Sequence, residues 1–116
     1  KFESHYYVIC LSLYPYLDVV AKLVSYWKGS VREFTSNVKH LYEKYGKETM
    51  VVETGAESKH PKEGYIIMKA VINAAKNDCG GHCHGVFYWA PELEGQYPLG
   101  AFDNHRPTEI MKAFAK

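Results

Sequence analysis

One acid stands at the end of an otherwise apolar run. Thr49-Met50-Val51-Val52-Glu53-Thr54 reads as a buried strand closed by Gly55, with Glu53 at its C-terminal end. A carboxylate buried without a partner costs several kcal/mol, so this one must pair or face a cleft. The ordinary alternatives are a cap on the next helix or an ion pair with a surface lysine. Two other runs end on aromatic residues: Ser12-Leu13-Tyr14 before Pro15, and Phe87-Tyr88-Trp89 before Pro91. In barrels of alternating strands and helices, the strand C-termini open onto one rim, where active sites collect. Glu53, Tyr14 and Trp89 would then meet at a single hollow. That combination suits a sugar subsite, because an aromatic ring covers the apolar face of a pyranose and a phenol can donate to a carboxylate. Ser12 and Tyr88 complete the candidate substrate contacts. Strand alternation lets only one of Tyr88 and Trp89 face the hollow and sends the other into the core.

A second set of reactive side chains is Cys79, His82, Cys83 and His84. Structural zinc takes four Cys or His ligands. Here the two cysteines lie four apart, His82-Cys83-His84 are contiguous, and no second pair stands at finger spacing. A Gly80-Gly81 turn leading into a strand accounts for the segment, so no metal site is expected. The odd cysteine count (Cys10, Cys79, Cys83) offers no even disulfide framework.

The elements that must position these residues fit one ordinary domain of 116 residues. A hydrophobic content of 47% is enough for a core, and the 15% of aromatic residues either fill that core or line clefts. A net charge of +1 argues against a nucleic-acid partner. No apolar run approaches the ~20 residues of a membrane span. An opening on Lys1 rather than Met, without a leader, suggests a cut or processed N-terminus.

Tyr6 to Tyr14 is nearly continuous in β-branched and aromatic residues. It reads as a parallel strand buried on both faces. Asp18 would cap a short helix bearing Val19, Val20, Leu23, Val24 and Trp27, ended by Lys28-Gly29. Ser30-Val31-Arg32-Glu33 fits a capping box. Val31, Phe34, Val38, Leu41, Tyr42 and Tyr45 follow it in helical rhythm to Gly46. Pro61 opens the next helix, whose stripe is Tyr65, Met68, Val71, Ile72 and Ala75. Gly85–Trp89 is the third strand, and Pro107 begins a terminal helix with Ile110, Met111 and Phe114. The predicted fold is α/β, with three consecutive βα units, parallel strands and outer helices, in a single partial (β/α)-barrel domain over residues 1–116. Three units cannot close a barrel, and they leave sheet edges open. The missing barrel portion, or a second copy joined through those edges, is the expected macromolecular partner.

Three of these segments together resemble one family. Tyr7-Val8-Ile9-Cys10-Leu11-Ser12-Leu13-Tyr14-Pro15-Tyr16 resembles the sixth-strand motif of the arabinogalactan endo-β-1,4-galactanases, family 53 of the glycoside hydrolases. Tyr45 to Gly55 is similar to their seventh-strand motif, and Gly85 to Glu92 to their eighth. Leu99-Gly100-Ala101-Phe102-Asp103 resembles the segment before their last helix. The resemblance implies the last three units of a (β/α)8 barrel that hydrolyses β-1,4-galactan with retention. It assigns Glu53 as nucleophile, Tyr14 as the residue holding Glu53 or the sugar, and Trp89 as the floor of the subsite. It implies a secreted or periplasmic protein and no organic cofactor. The calcium of some relatives has no evident oxygen cluster here.

The chain departs from that pattern at Cys10, Leu13 and Ala90, where the family often has Gly, Tyr and Glu. Each change makes the site less polar. Retention needs two carboxylates ~5–5.5 Å apart. The family's acid/base follows an Asn on the fourth strand, and no Asn-Glu pair occurs in this sequence. Glu92 and Glu94 read as loop carboxylates. The isolated chain is therefore expected to be inactive, forfeiting roughly 10²–10⁴ in rate for lack of general acid–base help. The competing expectation is a non-catalytic carbohydrate-binding or assembly fragment.

Overall fold

β-Branched residues free of breakers make the strands, and the computed structural model, which describes residues 8–15 and 26–115, arranges them as a parallel sheet. Strands β1 (Val8–Leu13), β2 (Glu48–Thr54) and β3 (Cys83–Val86) pair in that order. Helix α1 (Tyr26–Tyr45) connects to β2 and helix α2 (Pro61–Asn77) to β3. A two-stranded hairpin, β4 (Phe102–Asp103) and β5 (Arg106–Pro107), and the short helix α3 (Glu109–Lys112) follow. The fold is α/β with helices between parallel strands, as the apolar periodicities predict. None of the described helices is long and apolar enough to cross a membrane.

Both long helices pack on one face of the sheet. Phe34 and Val38 of α1 meet Val51 of β2, Ala74 and Ala75 of α2, Cys79 and Cys83, with Leu11 and Leu13 of β1 against them. A second cluster joins Met68 and Val71 of α2 to Ile110 and Ala113, under Ala56 and Ala101. β1 correspondingly alternates, with Val8, Cys10 and Ser12 exposed and Ile9, Leu11 and Leu13 half-buried. This corrects the expectation of a strand buried on both faces: the described helices cover one face only.

Other boundaries also move. Lys28-Gly29 does not end a helix, and Ser30 does not cap one, because α1 runs through both. Glycine in a helix interior costs only about 1 kcal/mol relative to alanine, and the partial burial of Trp27 and Val31 against the second cluster on either side of Gly29 outweighs that cost. β3 begins two residues earlier than Gly85, at Cys83. The N–H groups of Phe87 and Trp89 still donate to the Val51 and Thr54 carbonyls at 2.8 and 2.9 Å, carrying the ladder onward. Pro107 belongs to β5, and the last helix begins at Glu109. Tyr6, Tyr7, Tyr16, Asp18, Val19, Val20, Leu23 and Val24 lie outside the described residues.

Gly64 shows how tightly α2 meets α3. A Cβ there would lie 2.7 Å from Ile110 Cγ1 and 3.2 Å from Ala56 Cβ, and Ile110 is fully buried. Gly64→Ala gains about 1 kcal/mol of helix propensity but incurs an overpacking cost of roughly 1–3 kcal/mol. A net loss of stability in urea titration is expected. A variant as stable as the parent would contradict this packing.

Candidate functional site

Glu53 reaches its surroundings through an irregularity in β2. Leu11 pairs with Val51, but the next residue of β1, Ser12, pairs with Glu53, and Leu13 with Thr54. Val52 is a surplus residue, a β-bulge. Thr49 and Val51 are fully buried under the helices, and so is Thr54. Uninterrupted alternation would place Glu53 on that same buried side. The bulge turns it to the face it shares with Ser12 and leaves it half-buried, an effect for which bulges near active sites are known.

On that face the Tyr14 hydroxyl donates to Glu53 Oε2 at 3.0 Å. Burial first, and then the hydrogen bond to Glu53, push the Tyr14 phenol up to about 12. Tyr14 thus remains a proton-bearing donor across the neutral range. Gly55 makes room beside it: a Cβ there would meet a Tyr14 ring carbon and Leu99 Cβ, each at 3.4 Å.

The two aromatics of the third run separate, as alternation requires. Trp89 is 52% exposed, and its backbone is tied to the end of β2 through the Thr54 carbonyl. The following residue, Ala90, lies in the left-handed region at φ 46°. Tyr88 turns the other way. Its hydroxyl accepts from the Ala56 N–H at 3.0 Å and donates to the Leu99 carbonyl at 2.6 Å, and its ring meets Phe114 edge-on at 6.0 Å. Burial pushes the Tyr88 phenol up to about 12. The hydroxyl proposed from sequence for substrate joins two rim loops instead. The structure therefore brings Glu53, Tyr14 and Ser12 together, sets Trp89 on the same rim, and spends Tyr88 on the scaffold.

The sequence reading missed Tyr97, which lines a cleft between the loops after β2 and β3, and nothing in the loop's composition distinguishes it from the other tyrosines.

The Cys/His segment lies at the opposite end of the strands. Cys79 and Cys83 are buried free thiols, and burial raises the Cys79 thiol to about 11. His82 and His84 turn instead to Glu48, the first residue of β2. His82 Nδ1 lies 3.1 and 3.2 Å from the two carboxylate oxygens, and His84 Nε2 lies 3.0 Å from Oε2. A carboxylate only accepts, so each of these nitrogens carries the proton. Tyr42 stacks on His82 with ring centroids 3.5 Å apart. Among the described residues no group of three or more His, Cys, Asp or Glu is arranged to hold a metal ion.

A scan against family models finds no match, and no curated protein matches the chain.

The Glu48 cluster has a testable sign. The hydrogen bond from His82 is the main influence holding Glu48 below the ordinary carboxylate range. Its stabilisation is complete above the unfolded-state value and disappears as pH falls through the depressed one. Glu48→Gln should lower Tm at neutral pH, and the deficit should vanish in strong acid. An identical deficit at both pH values would contradict the assignment.

Proposed function

We propose that the chain is the C-terminal portion of a retaining glycoside hydrolase resembling the endo-β-1,4-galactanases, its three βα units being the last three of a (β/α)8 barrel. Its substrate would be β-1,4-galactan or arabinogalactan. The observation that carries the reading is the Tyr14–Glu53 contact at 3.0 Å, on a carboxylate that a bulge has turned out of the core at the C-terminal end of a parallel strand. The three-motif resemblance supports it independently.

In this reading Glu53 Oε1 attacks the anomeric carbon while Tyr14 holds Oε2. The glycosidic bond breaks through an oxocarbenium-like transition state, and the leaving oxygen takes a proton from an acid/base in the remaining barrel. Water, deprotonated by the same group, then cleaves the glycosyl–Glu53 ester. Ser12 borders the nucleophile, and Trp89 supplies the apolar floor. No organic cofactor enters. The isolated chain lacks the acid/base and does not cleave galactan.

A leaving group that needs no proton bypasses that gap. Incubation with 2,4-dinitrophenyl 2-deoxy-2-fluoro-β-galactoside should release dinitrophenolate and leave the fluorosugar esterified to Glu53, detected by mass spectrometry of the Glu53 peptide. Glu53→Gln should show no label. An unlabelled Glu53, or labelling that persists in the variant, would overturn the reading. Hydrolysis of galactan by the isolated chain would overturn its inactivity.

A further inference from the structure

The segment that follows Glu53 is held by a phenol that never touches the acid. A tyrosine hydroxyl has one proton to donate and lone pairs to accept with. That of Tyr88 donates to the Leu99 carbonyl at 2.6 Å and accepts from the Ala56 N–H at 3.0 Å. The two residues it joins bracket Gly55. Ala56 follows Gly55 in the chain and is fully buried. Leu99 presses on Gly55 from the loop after β3, its Cβ 3.4 Å and its carbonyl oxygen 3.7 Å from where a Gly55 Cβ would stand. Tyr14 Cε1 lies 3.4 Å from the same point. Leu99 and the Tyr14 ring thus close on one side-chain-free slot, and the Tyr14 hydroxyl reaches on to Glu53 Oε2 at 3.0 Å.

These contacts form an unbroken physical chain from Tyr88 through Leu99 and Ala56 to Gly55, then Tyr14, then Glu53. Removing only the Tyr88 hydroxyl leaves the N–H of buried Ala56 without its acceptor. An orphaned buried donor is costly, so its segment shifts until the group finds another partner. The Leu99 carbonyl is released at the same time, and the slot against which the Tyr14 ring seats loses both of its ties. We infer that Tyr88 is a positioning residue for the Glu53 site, its hydroxyl setting the place of the Tyr14 ring and through it the hydrogen bond to Glu53. The consequence for a nucleophile rests on the hydrolase reading, because small misplacements of a reacting group slow a reaction steeply. The mechanical coupling does not rest on it.

The test compares the strength of the Tyr14–Glu53 bond between backgrounds. A double-mutant cycle of Tyr14→Phe and Glu53→Ala at neutral pH should show a coupling of about fivefold in the folding equilibrium of the parent. In Tyr88→Phe, which keeps the ring packed on Phe114, the factor should fall close to one. Gly55→Val, which fills the slot without touching the Tyr88 hydrogen bonds, should do the same. Cys79→Ala removes a buried side chain at the far end of the strands. It should lower stability and leave the coupling at its parent value, which separates positioning from a general loss of stability. A coupling that keeps its parent value in Tyr88→Phe, or in Gly55→Val should the first variant not fold, would overturn the inference. So would a coupling lost equally in Cys79→Ala. The rate of Glu53 labelling by the fluorosugar should fall about tenfold in Tyr88→Phe. The two claims fail separately. A coupling lost in Tyr88→Phe, with Glu53 never labelled in the parent, would sink the hydrolase and keep the positioning role. A labelled Glu53 with coupling and labelling rate unchanged in Tyr88→Phe would do the reverse.

Discussion

A parallel ladder with one surplus residue cannot keep the same alternation on both sides of it, and the position of Glu53 depends on this. Val51 and Thr54 both face the helices although three positions separate them, because Val52 is accommodated as a bulge opposite the Leu11–Ser12 step. The apolar contacts of Val51, Leu11 and Leu13 with Phe34, Val38 and Ala75 fix one end of the register. The buried Thr54, whose hydroxyl is directed at Met68 Sδ at 3.9 Å, fixes the other. Packing on both sides of the bulge leaves Glu53 only the uncovered face. An inward Glu53 would stand among those apolar side chains without a partner, at a cost of several kcal/mol.

The rim around it is held by backbone groups more than by side-chain pairs. The Tyr88 hydroxyl bridges Ala56 and Leu99, and the Pro91 carbonyl accepts from the Ala101 N–H at 2.7 Å. Gly100 lies so close to the Leu93 carbonyl that no side chain fits there. These contacts bind the loops after β2 and β3 into one wall. A core tyrosine and a glycine thus shape this part of the rim.

Much of this was legible in the sequence where one physical signal dominated. The apolar stripe Tyr65-Met68-Val71-Ile72-Ala75 with Pro61 before it gave α2, and the Thr49–Thr54 run gave β2 to within a residue. The signals misled where a local rule competed with packing. Ser30-Val31-Arg32-Glu33 has the composition of a capping box, yet the half-buried neighbours of Gly29, Trp27 and Val31, keep α1 continuous. The β4–β5 hairpin carries no alternating apolar pattern at two residues per strand, so nothing marked it. Glu53 and Tyr14 were visible as residue types at strand ends. The bulge that lets them meet was not, since alternation from Val51 alone would have buried the acid. Glu48 went unnoticed because the histidines drew attention as metal ligands, whereas their partner lies more than thirty positions away in sequence.

Glu53 faces outward and is fixed on one oxygen by the Tyr14 phenol. A double-mutant cycle between Tyr14→Phe and Glu53→Ala, followed by chemical denaturation, measures that bond directly. A coupling of about 1 kcal/mol is predicted for a half-buried hydrogen bond to a charged group. Strictly additive effects would mean that the phenol and the acid do not meet, and would contradict the orientation from which everything else follows.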